Sequence, residues 1–472
     1  MEKSAAVPSS RLARLARLGS LASGVAGGML AEGVRQWSRG NRPSVGELLL
    51  TPGNARRVAE QLSRLRGAAM KVGQLLSMDA GDLMPPELAA ILSRLRADAR
   101  PMPMSQLLPV LETAWGAGWD SQFERFSFTP LAAASIGQVH AAQCKGGARL
   151  AIKVQYPGVR QSIASDVDNV ATLLRLSGLL PRTLDVAPLL EEAKRQLHDE
   201  ADYLKEAAHL EHYRSRLAAA GDFALPAVHA GLTTPDILAM TFMDGVPIEA
   251  LAGAPQAERD RVLGLLFELL FREIFEFRCV QTDPNFANYR YDQGSGRLVL
   301  LDFGATRHFP ERCIAAYRRL LLAGQAGDLD ALAAAAIEIG YFQVDIDPAH
   351  QRQVLDIFLA ACEPLRHEGP YDFGTSTLAV RIRDAGLRLG RDRRFWHTPA
   401  GRCAVSASQD RRPVSAGGAA QGAGGYRRDL PALPGGGAGR GGWRVIRRAG
   451  NPGGAFVASR LRTGRRFRRS PG

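Results

Sequence analysis

The 472-residue chain is poor in cysteine, in lysine and in long apolar runs, and each shortage excludes something. Its five cysteines (Cys144, Cys279, Cys313, Cys362 and Cys403) include no C-x-x-C pair. That gives no zinc or disulfide framework and suits a reducing compartment. No stretch reaches the roughly 18–20 apolar residues needed to cross a bilayer. The opening RLARLARLGSLASGVAGGML is too short and glycine-rich in its apolar part for a signal peptide or a spanning helix. Arg11, Arg14 and Arg17 interleave there with Leu12, Leu15, Leu18 and Leu21, which suits either an anionic membrane surface or a frayed amphipathic terminus. Gly24 and Gly28 form a small-xxx-small pair, and a homodimer is left open. Lysine is outnumbered 54 to 6 by arginine, which fits a GC-rich bacterial genome better than a function.

The formal charge of +13 looks like a nucleic-acid signal until it is located. Residues 401–472 hold 15 Arg, no Lys and two acidic residues, a net of +13, so the other 400 residues balance 45 basic against 45 acidic groups. A balanced body gives no reason to expect a nucleic-acid partner. The same terminal segment holds 17 Gly and no apolar periodicity. It reads either as a disordered basic tail or, the preferred reading, as a gene segment translated out of frame.

Periodicity divides the chain into a basic amphipathic segment and linker (1–54), a helical extension (55–128), a strand-rich lobe (129–245), a helix-rich lobe (246–399) and the tail (400–472). Val58, Leu62, Leu65, Val72, Leu75 and Leu76 recur at helical spacing, and a helix is expected over 105–116. Strands are expected at 137–143 and 149–155 with KGG as the turn, and helices at 160–178, 187–218, 257–277 and from 311 to 363. Strands before and helices after predict an α+β fold of two lobes with a cleft between them.

The chemistry sits in four segments. LAAASIGQVH resembles a phosphate-gripping loop, with Ala132 and Ala134 where glycines are usual, then Gly137 and Val139 at the customary spacing. Lys153 in LAIKVQ follows 16 residues after Gly137, placed for a nucleotide phosphate. HDEADYLKEAAH offers Asp199, Glu200, Asp202 and Glu206 as the carboxylate partner, with Asp202 and Glu206 expected on one helix face. QTDPNFANY holds Asp283 and Asn288, and Asp302-Phe303-Gly304 follows 14 residues later. Phosphoryl transfer needs oxygen ligands for Mg²⁺ on the triphosphate and a carboxylate for the acceptor. Asp302 and Asn288 suit the first task and Asp283 the second.

In this order the residues resemble the UbiB-type atypical kinase family, kinase-like proteins of ubiquinone biosynthesis, over residues 20–398. MKVGQ matches the family's K-x-G-Q motif with Lys71, Gly73 and Gln74; AAASIGQVH matches its alanine-rich loop, including Ser135; EADYLKEAAH matches its E-x-D motif with Glu200 and Asp202. Glu206 falls where the lysine-pairing glutamate would be, and Met243 in MTFMDG at the hinge facing the adenine edge. The resemblance implies a protein-kinase-like two-lobed fold whose N-terminal helical extension covers the cleft. It also implies ATP hydrolysis with Mg²⁺ in support of ubiquinone biosynthesis. Lys71, Gln74, Glu200 and Asp202 would gate the site, and a membrane lipid surface and quinone-biosynthesis proteins or intermediates would be the partners. The implied location is the bacterial cytoplasm, peripheral to the inner membrane. A small-molecule or lipid kinase and a nucleotide-binding scaffold with little turnover are the alternatives. No A-P-E follows Asp302 before the next expected helix, which leaves little room for a peptide-docking segment.

Overall fold

The computed structural model describes residues 62, 65, 67–73, 101–176, 187–283, 285–341, 346–391 and 457–458. They fall into two units. The first holds the residues up to Ala219 with Leu225–Asp244 and Leu300–Ala305; the second holds Ala220–Ala224, Gly245–Val299 and the residues from Thr306 on. The amphipathic opening segment and linker (1–54) and half of the helical extension lie outside the described residues, as does the tail apart from Val457–Ala458.

In the first unit α1 (Met104–Trp115) precedes β1 (Phe123–Phe126), β2 (Ala132–Ala133), β3 (Gly137–Cys144) and β4 (Arg149–Gln155). The helices α2 (Val159–Leu176), α3 (Ala187–Glu200) and α4 (Tyr203–Leu217) follow, and then β5 (Ile237–Thr241). The sheet runs β1-β3-β4-β5 with β2 added on β3, every pairing antiparallel. Between β3 and β4, Gly147 takes φ 80°, the left-handed geometry that makes glycine the natural residue of the KGG turn. The strand period of two then sorts the side chains. Ile152 and Val154 point into a core with Leu107 and Leu111 of α1 and with Trp119. Val139, Lys153 and Leu238 lie opposite one another across three strands and share the other face.

A second core joins the extension to the helices. Leu62, Ala68, Ala69 and Val72 pack with Ile163, Val167 and Val170 of α2 and with Ala193 and Leu197 of α3, and Ile136 of the alanine-rich loop is buried among them. Such burial is worth roughly 1.5–3 kcal/mol for each large aliphatic side chain.

One expected element divides. The helix predicted over 187–218 ends at Glu200 and restarts at Tyr203, so Asp202 lies outside the helical face it was expected to share with Glu206. Asp202 is instead the N-cap of α4, its side chain accepting the Lys205 backbone N–H at 3.1 Å. A short carboxylate satisfies a first-turn donor better at that place than inside a helix.

The second unit has a small sheet ordered Phe223–Ala224, β9 (Arg297–Leu300), β8 (Tyr289–Asp292), β6 (Val246–Pro247). Its helix α5 spans Gln256–Arg272, and the helix predicted to run on to 277 becomes a π-turn over Glu273–Phe277. Arg278, with φ 55°, turns the chain into β7 (Cys279–Gln281), which pairs antiparallel with β10 (Thr306–His308). The helices α6 (Glu311–Ala326), α7 (Leu329–Ile339) and α8 (Pro348–Ala361) share one apolar core, and α9 spans Leu378–Arg391. Val457–Ala458 pairs with Tyr371–Asp372. Among the described residues no helix is long and apolar enough to cross a membrane.

Candidate active site

The site is built around Lys153. β4 directs its Nζ to donate to Glu206 Oε1 at 2.8 Å and Oε2 at 3.0 Å, and to Asp302 Oδ2 at 3.2 Å. Lys153 and Glu206 are buried, whereas about a third of the Asp302 side chain is exposed (34%), enough to meet a ligand. One ammonium therefore serves two carboxylates in a poorly solvated place. Burial by itself would lower the Lys153 pKa, but Asp302 and Glu206 outweigh it and hold it well above the ordinary value. Burial would raise Asp302; Lys153, the Gly304 N–H at 2.9 Å and the charge of Lys71 instead hold it below the ordinary range. The second ionisation carries the cost. Burial pushes Glu206 up to about 7 although Lys153 opposes the shift, and the Asp302 charge adds to it.

Helix α4 supplies more than Glu206. The Tyr203 ring lies 5.3 Å from Lys153 Nζ, His209 Nδ1 is 3.3 Å from the Phe303 carbonyl, and the Tyr213 ring meets the buried Phe303 ring edge-on at 5.0 Å. Sequence reasoning missed Tyr203, His209 and Tyr213. Their signal was a spacing of three, three and seven residues from Glu206, which places all four on one side of a helix.

The alanine-rich loop is a hairpin. Ala132 and Ala133 pair with Val139 and Gln138, the Leu131 N–H donates to the Val139 carbonyl, and the Ala134 N–H to the Gly137 carbonyl. Gly137 is required by a close approach: an added Cβ would collide with the Val154 carbonyl and lie 2.9 Å from the Tyr203 hydroxyl. Gln138 and His140, also in the motif, are buried on the α1 side. Gln138 Oε1 accepts the Met102 N–H, its Nε2 meets His140 Nε2, and His140 Nδ1 meets the Ser127 carbonyl. Burial holds the His140 pKa down, which favours the neutral ring.

The extension closes on this loop. Lys71 Nζ donates to Glu200 Oε1 at 2.5 Å, and Ser135 Oγ donates to Glu200 Oε2 at 2.6 Å. Glu200 thus ties the K-x-G-Q lysine to the alanine-rich loop. An added Cβ on Gly67 would stand 2.7 Å from the Ser135 carbonyl, so glycine lets that helix approach. Gln74 lies outside the described residues, and Met243 is half-buried after β5.

Asp283 and Asn288 belong to the second unit, and the Lys153 cluster belongs to the first. Gln281 Oε1 accepts the Asp283 N–H at 2.9 Å, and Asn288 Nδ2 donates to the Asp283 carbonyl at 3.3 Å. Both residues are half-buried. Among the described residues no group of three or more His, Cys, Asp and Glu could hold a metal. An ionised, part-exposed Asp302 still fits Mg²⁺, which takes one or two carboxylates and completes its shell with phosphate oxygens and water.

A buried lysine–glutamate pair beside the aspartate of Asp-Phe-Gly, on a two-lobed α+β fold, defines a kinase-like, ATP-binding class. The model of the ABC1 atypical kinase-like domain matches residues 94–336, and the chain belongs to that family. It is 38% identical over 390 residues to the mitochondrial atypical kinase COQ8 of Saccharomyces cerevisiae, covering 82% of this chain and 78% of that protein. It is 37% identical over 378 residues to the mitochondrial atypical kinase COQ8B of Rattus norvegicus, covering 80% of this chain and 72% of the relative. Among solved structures, Rv3197 of Mycobacterium tuberculosis, in complex with erythromycin, aligns with a TM-score of 0.47 and 24% identity, over 70% of this chain and 90% of that one. The family match and the two COQ8 kinships establish the UbiB-type resemblance read from the motifs. They overturn the expected location: the relatives are mitochondrial proteins of eukaryotes, so membership does not place the chain in a bacterial cytoplasm or at a bacterial inner membrane.

Proposed function

We propose that the protein is an Mg-ATP-dependent, kinase-like ATPase that supports ubiquinone biosynthesis, working at a lipid surface with quinone intermediates or the proteins that handle them. The observation that carries this reading is Lys153 Nζ within 2.8–3.2 Å of both Glu206 and Asp302. Kinship with the COQ8 proteins supports the quinone assignment, and the Arg/Leu pattern of the first residues supports the lipid surface.

Lys153 sets its ammonium on the nucleotide phosphates while Glu206 fixes its position. Ala132, Ala134, Ser135, Gly137 and Val139 line the nucleotide, and Met243 faces the adenine edge. Asp302 and Asn288 would hold Mg²⁺, and Asp283 orients water or another acceptor. Mg²⁺ held there would supply charge neutralisation on the phosphate oxygens. Lys71, Gln74, Glu200 and Asp202 gate the site. The support for gating is that Glu200 holds both Lys71 and Ser135, so Ser135 must leave that carboxylate to reach a phosphate.

Asp302→Asn should lower Mg²⁺-dependent ATP turnover about a hundredfold or more while thermal unfolding stays near that of the parent protein. Phosphate release, measured with and without lipid vesicles, is the readout. Full turnover in this variant refutes the assignment, and stoichiometric transfer of phosphate to a lipid or small molecule would replace ATPase by kinase.

A further inference from the structure

A cavity of about 360 Å³ opens in the first unit between α1, the turn joining β4 to α2, and Asp236, and none of its lining residues belongs to the Lys153 cluster. Its volume is that of a small-metabolite site. Val110 and Pro157 supply apolar wall, and the charged lining residues are one guanidinium, Arg160, and one carboxylate, Asp236. α2 starts at this cavity with no acidic residue in its first turn, so the positive end of its dipole adds to Arg160.

Arg160 also reaches the gate. Its Nε donates to the Ala201 carbonyl at 2.7 Å, and Nε2 of Gln155, another lining residue, donates to the same carbonyl at 2.7 Å. Ala201 is the joint between α3 and α4. On one side stands Glu200, which holds Lys71 and Ser135; on the other stands Asp202, the cap of the helix that carries Glu206. Nε, the donor nearest the chain, is the one spent on this carbonyl, so turning the guanidinium into the cavity draws it off Ala201.

We propose that this cavity is an effector site for a small zwitterion, with its oxyanion on Arg160 and its ammonium on Asp236, and that the nucleotide site senses occupancy through Ala201. The guanidinium is the natural partner for a carboxylate or sulfonate, and a carboxylate in the same lining disfavours a simple anion. Without ligand, Arg160 and Gln155 together hold the Ala201 carbonyl. With ligand, Arg160 turns to the oxyanion and leaves that carbonyl to Gln155 alone, which loosens the joint that positions Glu200 and Glu206. The two states differ in their contacts, as a coupled equilibrium requires.

The test is calorimetric titration of the full chain with β-alanine, 4-aminobutyrate and taurine, whose charged ends are separated by different lengths. Propionate and propylamine serve as half-ligand controls. Affinity for a non-hydrolysable ATP analogue is measured with and without each zwitterion. At least one zwitterion should bind saturably, both half-ligands should bind about tenfold more weakly or worse, and nucleotide affinity should change about fivefold or more. Asp236→Asn removes the ammonium's partner, and Thr113→Trp fills the rim from the exposed face of α1. Each should abolish binding and the nucleotide effect while leaving basal ATP turnover unchanged. The proposal is overturned if no member of the panel binds, if binding survives in both variants, if it is competitive with nucleotide, or if nucleotide affinity does not change at saturation.

Discussion

Glu206 carries the electrostatic cost of the Lys153 cluster. Its carboxyl is pushed from the ordinary 4.5 up to about 7, chiefly by burial. The fold therefore favours the protonated form. The stability contributed by this group is fully present below about pH 4.5 and is lost as the pH rises through about 7. One proton of difference sets a slope of at most about 1.4 kcal/mol per pH unit. In nucleotide-free protein, Glu206→Gln should remove this slope: between pH 5 and 7.5 the urea midpoint of the parent should fall relative to the variant, and parallel profiles would contradict the assignment. The spacing from Gly137 to Lys153, together with the order of the motifs that follow, selected the lysine from sequence, and the pairing with Glu206 followed from family position. That Asp302 shares the same ammonium was not legible, because Lys153 and Asp302 are 149 residues apart in the chain.

At the scale of elements, the break between α3 and α4 matters most. The run from 187 to 218 has unbroken helical periodicity, so sequence favours one helix. Two side chains from distant elements, Gln155 and Arg160, take the Ala201 carbonyl, and Asp202 caps the new start. Asp202→Ala should cost about 1 kcal/mol in chemical denaturation, and Asp202→Asn, which keeps a capping oxygen, should recover most of it. Equal losses in both variants would shift the weight to the ion contact with Arg160, at 3.8 Å. The alanine-rich loop shows a similar division. The strands β3 and β4 that follow it and their KGG turn were legible from alternation and turn residues, whereas the pairing of Ala132–Ala133 on β3 and the need for glycine at 137, set by the approach of the Val154 carbonyl and Tyr203, were not.

At the scale of the molecule, the chain passes more than once between its two units, and Leu300–Ala305 returns to the first after most of the second has been laid down. The first unit is therefore incomplete as a continuous N-terminal piece. A fragment ending at Asp244 lacks Asp302 and the buried Phe303, and should lose about 3–5 kcal/mol from the missing aromatic packing alone. Thermal unfolding should show a lowered midpoint, and phosphate release should show no turnover; a fragment as stable and active as the whole chain would contradict this reading of the units. The sequence by itself determined the balanced charge of the first 400 residues, the α+β class and the candidates Lys153, Asp283, Asn288 and Asp302, because these rest on composition, short-range periodicity and motif order; the family and the choice of Glu206 came from the resemblance that those motifs carry. Only the tertiary structure decided that Glu200 joins Lys71 to Ser135, that Lys153 is shared by two carboxylates, and that Arg160 joins a cavity to the α3–α4 joint. Each of those brings together groups tens of residues or more apart in the chain, and which of them meet is set by packing rather than by local pattern.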